Sequence, residues 1–279
     1  MLKNRIANCL MIAAIVGTVL TACRKDKTIQ DEDSDTSSSA DNSLAEGIYN
    51  DVNNMADQAA DGSLATYRIV DLEGGILSAC ATISNDTSVT PHILTIDFGS
   101  SNCLCKDGRN RRGKVMISYE GRYRDAGHIH TITFSDYFVD DNQVLGVKTV
   151  TNNGKNTSGN TVFTINVDGK IIKANAGGTI IWKSNRSREW IAGESTLSWN
   201  DDVYLITGSA TGTSATGRNF TLTILTALRK EIGCRHFVSG QLSLAPDNKL
   251  TRLIDYGNGT CDNEATVTIN NKTYTITLR

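Results

Sequence analysis

The sequence predicts an all-β protein: one large antiparallel β domain, a sandwich or an extended curved sheet, preceded by one short N-terminal helix. From about residue 75 onward apolar and polar residues alternate with a period of two, as in Leu94, Ile96 and Phe98 against Thr95 and Asp97. That alternation marks half-buried antiparallel strands. Clusters of Asn, Asp and Gly interrupt it at short intervals, as turns between strands do. Finally, Ile96-Asp97-Phe98-Gly99 returns as Ile254-Asp255-Tyr256-Gly257, each followed four residues later by a cysteine, Cys103 in the first case and Cys261 in the second.

The first 22 residues stand outside this fold. Lys3 and Arg5 precede an apolar run from Cys9 to Leu20 that ends in Leu20-Thr21-Ala22-Cys23. This is the charge, core and small-residue layout of a secretory signal, and the run is too short and too promptly followed by Arg24 and Lys25 for a membrane span. Leu20-Thr21-Ala22-Cys23 resembles the lipobox of bacterial lipoproteins, which implies cleavage before Cys23 and acylation of that cysteine. Several acyl chains at about 0.8 kcal/mol per buried methylene would make the attachment effectively permanent.

Loss of Lys3 and Arg5 takes the 28 basic residues to 26 against 30 acidic ones, so the mature chain carries −4. No concentrated basic surface is available for sequence-independent nucleic-acid binding, which excludes that partner class. Residues 23–42 hold one large apolar side chain, Ile29, and read as a lipidated cysteine followed by a disordered tether. Residues 43–62 read as the helix. Ser43 and Glu46 form a capping box, Leu44, Ile48, Val52, Met55 and Ala59 recur at helical spacing, and Gly62 can close the end. The other face carries Asp51, Asp57 and Asp61 without Lys or Arg, which argues against a membrane-surface helix.

Residues 63–279 read as a single β domain with related units at about 77–120 and 231–279. Roughly twelve to fourteen strands are expected from the spacing of the turns. Asp140-Asp141-Asn142, Asn152-Asn153-Gly154, Asp168-Gly169, Asn200-Asp201-Asp202 and Asn270-Asn271 are the turn signals. The alternation is equally compatible with a sandwich, a barrel or one long curved sheet. In an exported chain the cysteines read as bridges, and their matched placement favours Cys80 with Cys103 and Cys234 with Cys261, leaving Cys105 free or as an alternate to Cys103.

Candidate chemistry is sparse. Asp97 and Asp255 each sit beside a glycine, where a carboxylate accepts turn hydrogen bonds while the glycine takes positive φ. His128 and His130 share a strand face with Ile132 and Phe134, which reads as structural rather than as a metal pair. Gly212 to Asn219 approximates a phosphate loop but has Arg218 for the lysine and runs into a strand. Trp182, Trp190 and Trp199 lie among alternating apolar residues and read as core. Arg109, Arg111, Arg112 and Lys114 form a basic stretch after Asp107-Gly108 and are the candidate ligand contacts. No catalytic residue, metal site or cofactor is expected.

The lipobox, the short helix, Thr95 to Gly99, Asp107-Gly108-Arg109 with Arg112-Gly113-Lys114, Cys234 to Gly240 and Asp255 to Asp262 together resemble exported lipoproteins of the Bacteroidota type. The resemblance spans nearly the whole mature chain. It implies an outer-membrane, lipid-anchored location, on the periplasmic face or the cell surface, and carries no activity with it. The expectation is a non-catalytic binding or structural component of the envelope, with a glycan, a lipid or an envelope protein as partner. A glycan-acting hydrolase with a cleft between the two units and a lipid-binding carrier are the alternatives.

Overall fold

The computed structural model describes residues 33–63, 80–196, 198 and 200–278. The signal segment, Cys23, most of the expected tether and Trp199 lie outside the described residues. Among the described residues one helix, α1 (Ser37–Ser63), is followed by fourteen strands. The first seven are β1 (Thr82–Asp86), β2 (His92–Asp97), β3 (Cys103–Leu104), β4 (Asn110–Tyr119), β5 (Ile129–Val139), β6 (Asn142–Lys155) and β7 (Thr161–Ile172). The rest are β8 (Thr179–Ala192), β9 (Val203–Thr213), β10 (Asn219–Glu231), β11 (Ser239–Pro246), β12 (Arg252–Asn258), β13 (Glu264–Ile269) and β14 (Lys272–Thr277).

All fourteen belong to one open antiparallel sheet in which each strand pairs with its neighbour in sequence, except that β2 pairs with β4 and short β3 joins β4 alone. The curved-sheet form of the expectation therefore holds, and there is no second sheet among the described residues. The curvature follows from the contacts of α1. On a flat sheet β4 and β12, eight steps apart in strand order, would lie about 38 Å from each other at about 4.8 Å per step. Yet Arg111 of β4 reaches Asp51 of α1, and Tyr256 of β12 reaches Ser43. A helix is only about 10 to 12 Å across with its side chains, so the sheet must curl around it. Register shifts between Arg112 and Lys114, between Ile224 and Thr226, and between Ser239 and Gln241 supply local bends.

The helix is buried on every side from Asp51 to Ala60. Its apolar stripe, Ile48, Val52, Met55 and Ala59, packs into the core as the spacing predicts. Tyr49 stacks on Trp182 at 5.6 Å and donates its hydroxyl to the Leu145 carbonyl. Asp51 and Asp57 of the acidic face are equally enclosed, because the concave side of the sheet presents cations to the helix. Arg186 meets Glu46 at 2.6 Å, Arg111 meets Asp51 at 2.6 Å, Arg188 meets Asp57 at 3.1 Å and Lys173 meets Asp41 at 2.8 Å. Lys148 donates to the Tyr49 carbonyl at 2.7 Å.

Four details differ from the sequence expectation. The helix starts at Ser37, six residues before Ser43, with Asp35 accepting from the Ser37 amide and Asp33 and Asp35 both held by Arg252 of β12. Ser43 and Glu46 are used for tertiary contacts rather than as a capping box. Asp168-Gly169 is not a hairpin turn but the middle of β7, where a Cβ on Gly169 would lie 2.2 Å from the Tyr49 hydroxyl. Asn152-Asn153-Gly154 likewise falls inside β6. Asp140-Asp141 and Asn270-Asn271 do turn, with positive φ at both residues of each pair.

Both disulfides are present, Cys80 with Cys103 and Cys234 with Cys261. Each joins the entry of one hairpin, β1–β2 or β11–β12, to the chain just past its exit, so the two bridges do the same topological job. Closing loops of 23 and 27 residues stabilises by about 3 to 4 kcal/mol each through the entropy of the unfolded chain. The glycine corners they enclose share one geometry: Asp97 accepts from the Gly99 amide and Asp255 from the Gly257 amide, both at 2.8 Å, and both glycines have positive φ. Cys105 is a free thiol, buried beside the Cys103 carbonyl, and burial pushes its pKa up.

Candidate functional site

Strand alternation divides the basic stretch that the sequence offers as a surface contact. Arg109 and Arg111 point to the concave side and are 2% and 0% exposed, whereas Arg112 and Lys114 point outward. Arg112 pairs with Asp141 and lies over the Phe138 ring, and Lys114 pairs with Asp97 at 2.9 Å. Asn110 already begins a strand, and a strand sends alternate side chains to opposite faces, so the four basic residues do not share one surface.

Arg109 forms part of one wall of a cavity, with Arg111 behind it. Arg111 bridges Asp51 and Asp107, each at 2.6 Å, and Arg109 approaches Asp51 at 3.1 Å. Burial would push the Asp51 carboxyl up, but Arg111 and Arg109 outweigh it and hold it below the usual carboxylate range. Opposite them runs the connection from β10 to β11. With Lys230 at the end of β10, it carries Cys234, Arg235, His236 and Phe237 to the same space, a cavity of about 260 Å³ between this connection, α1 and the turn before β4. Residues 234–238 form a bent segment, and β11 begins at Ser239. The Cys234–Cys261 bridge fixes that bend to the chain after β12.

The cavity is electropositive. Lys106, Arg109, Arg111, Lys230 and Arg235 stand around it against the carboxylates of Asp51 and Asp107. Lys230 is 5% exposed, and its ammonium donates to the Cys234 carbonyl. Burial depresses its pKa to about 7, with Asp51 and Glu231 opposing the fall and Arg109 and Arg188 adding to it. Burial and the cations Arg109, Arg235 and Lys230 likewise push His236 down to about 4, so its imidazole is neutral at physiological pH. Neutral polar groups face the cations from α1, among them Asn50 and Asn54, and Phe237 and Tyr256 meet edge-on at 5.2 Å as the apolar wall.

No protein-family model, curated protein or solved structure matches the chain. The site is therefore read from its own residues. Of the four basic candidates only Arg109 lines the cavity, with Arg111 behind it. Lys230, Arg235 and His236 escape a reading by motif because they are scattered over strand and loop. A signal for Lys230 is nevertheless present: it occupies the apolar phase of β10, between Leu228 and Ile232, both buried.

The remaining candidates have structural roles. His130 is buried, bonds the Gly121 carbonyl through Nε2 and lies between the rings of Tyr119 and Tyr123. Trp182 and Trp190 are core residues, 2% and 3% exposed. Asp97 is tied to Lys114 and the Gly99 amide, and Asp255 to Gln241 and the Gly257 amide. Both carboxylates alternate with buried Ile96 and Phe98 or Ile254 and Tyr256, so both face away from the concave side.

Proposed function

We propose that this protein is a non-catalytic binding component of the cell envelope, anchored to the outer membrane through acylated Cys23. The observation that carries the reading is the use of the concave face: α1 fills it, and what remains open is a small cavity lined with recognition groups rather than a cleft with paired acid and base. A hydrolase working between the two corner units would need Asp97 and Asp255 to share a cleft, and each is bonded within its own corner on the outward side. A lipid carrier would need several hundred Å³ of apolar space, and here that volume is occupied by Tyr49, Val52, Met55 and their partners. The matched hairpin bridges suit an oxidising compartment.

The test is purification from native membranes with mass spectrometry of the N-terminal peptide and of whatever travels with the protein. The expected result is an acylated peptide beginning at Cys23, and release of the Cys23→Ser protein from the membrane fraction. A Cys23→Ser protein that still sediments with membranes, or turnover of envelope glycan by the purified protein, would overturn the reading.

A further inference from the structure

We propose that the cavity between α1, the turn before β4 and the β10–β11 connection binds a small hydroxylated oxyanion, a sugar acid or sugar phosphate, with its anionic group on Arg109 and Lys230. Four observations place the charge. Lys230 is 5% exposed and its ammonium gives one of its three donors to the Cys234 carbonyl, so it has donors to spare for an acceptor entering the cavity. Arg109 is 2% exposed and reaches Asp51 through Nη1 at 3.1 Å, which leaves most of its five-donor fork for a ligand. Lys106 and Arg235 stand at the exposed rim, where they would draw an anion inward. His236 is kept neutral by burial and by the surrounding cations, so the site presents a hydrogen-bonding imidazole rather than a further fixed charge.

Size and the opposite wall define the rest of the ligand. About 260 Å³ falls below the roughly 300 to 1,000 Å³ of pockets for drug-sized molecules, which suits a single sugar ring or the terminal unit of a chain. Asn50 and Asn54 on α1 and Asn200 at the rim offer amides to hydroxyls, and Phe237 and Tyr256 offer an apolar flank. The proposal does not depend on the lipid anchor or on the envelope location. Failure of either leaves the other standing.

Protonation of Lys230 makes the site pH-sensitive. The charged groups facing it are Asp51 on α1, Arg109 before β4, Arg188 on β8, Glu231 on its own strand, and Arg235 beyond its end. With the free amine titrating at about 7, an anion held by the ammonium takes up a proton on binding. Its affinity falls by up to about tenfold per pH unit above that value.

The experiment is calorimetric titration of the purified full-length protein in detergent at low salt and pH 6.5 with D-glucuronate, glucose 1-phosphate and uncharged glucose. Binding of one or both acids with glucose silent is expected, and which acid binds decides between a carboxylate and a phosphate source. Affinity should weaken from pH 6.5 to 8.5, and Lys230→Met should lower it by about tenfold or more and flatten that dependence, the loss of one charge-assisted hydrogen bond. Should Lys230→Met fail to fold, Arg235→Ala at the exposed rim carries the same test by a drop in affinity. Lys183→Ala, which removes an outward cation paired with Asp168, serves as the control and should leave binding unchanged. Equal binding of glucose, no binding of either acid at millimolar concentration, or an equal loss in Lys183→Ala would overturn the proposal.

Discussion

Lys148 and Lys230 are ammonium groups inside the protein, 2% and 5% exposed, and burial brings both pKa values down to about 7. In the unfolded chain each titrates near 10.5. Between these values the unfolded state holds the proton and the folded state does not, so stability rises with pH across that window. The penalty is fully present below about 7 and is gone above 10.5. Buried Tyr49, Tyr137 and Tyr256 act in the opposite sense. Burial raises their folded pKa above the ordinary 10, so stability falls once the unfolded tyrosines begin to ionise. The expected profile is an increase from neutral pH to a maximum short of pH 10 and then a decline, read from urea midpoints. Lys148→Met tests the assignment. The Lys148 ammonium donates to the Tyr49 carbonyl, which lies inside α1 and keeps its helical partner, so the substitution should be neutral or stabilising near pH 7 and should remove about half of the slope above it. An unchanged slope in Lys148→Met would show that the rise has another source.

Among the elements, α1 shows most clearly what the sequence discloses and what it withholds. Its pairs with the sheet are buried on both sides: Arg186 and Glu46 are 3% and 1% exposed in their side chains. Removing one partner of such a pair strands the other charge. Glu46→Ala should therefore cost about 3 to 5 kcal/mol, whereas Glu46→Met with Arg186→Met should be near neutral, and chemical denaturation of the three proteins separates these outcomes. A single-variant loss below 1 kcal/mol would mean that water reaches the pair. The same pairing explains why the helix was legible only in part. Ile48, Val52, Met55 and Ala59 mark its core stripe in the sequence, but Asp51 and Asp57 read as a polar outer face, Glu46 as part of a capping box and Asp41 as tether, because their partners are far along the chain. Residues 37–42 hold no apolar side chain larger than Ala40 to announce a helix, and they are held through Asp35, Asp41 and Asn42 instead. The strands were legible through alternation, and the glycine corners and bridges through their matched spacing. Asp168-Gly169 misled because its glycine answers to Tyr49 from the helix rather than to a turn. The cavity was largely illegible, since its cations come from two distant stretches, residues 106–111 and 230–235, and meet only when the sheet curls.

At the scale of the molecule, the sheet and the helix define each other. A sheet built only from neighbouring strands has open edges and many acceptable curvatures, because each pairing fixes its own register and nothing beyond it. What selects one curvature is the set of contacts that strands far apart in the order make to α1: Arg111 on β4, Lys148 on β6, Arg186 and Arg188 on β8, and Tyr256 on β12. These contacts are spread along the helix from Ser43 to Asp57. A slip of one helical turn, about 5.4 Å, would part every ion pair at once, so the polar contacts fix both the depth and the rotation of α1. A chain beginning at residue 80 would retain all strand pairings and both bridges and yet lack this selection. It would expose the concave apolar face together with buried cations deprived of their carboxylates, at the several kcal/mol that each uncompensated charge costs. Such a chain should keep β-type circular dichroism, bind a hydrophobic dye and lose a cooperative thermal transition, and a peptide of residues 33–63 added in trans should restore the transition. A cooperative melt in the truncated chain alone would show that local strand pairing suffices to set the curve, and would reduce α1 from organiser to occupant.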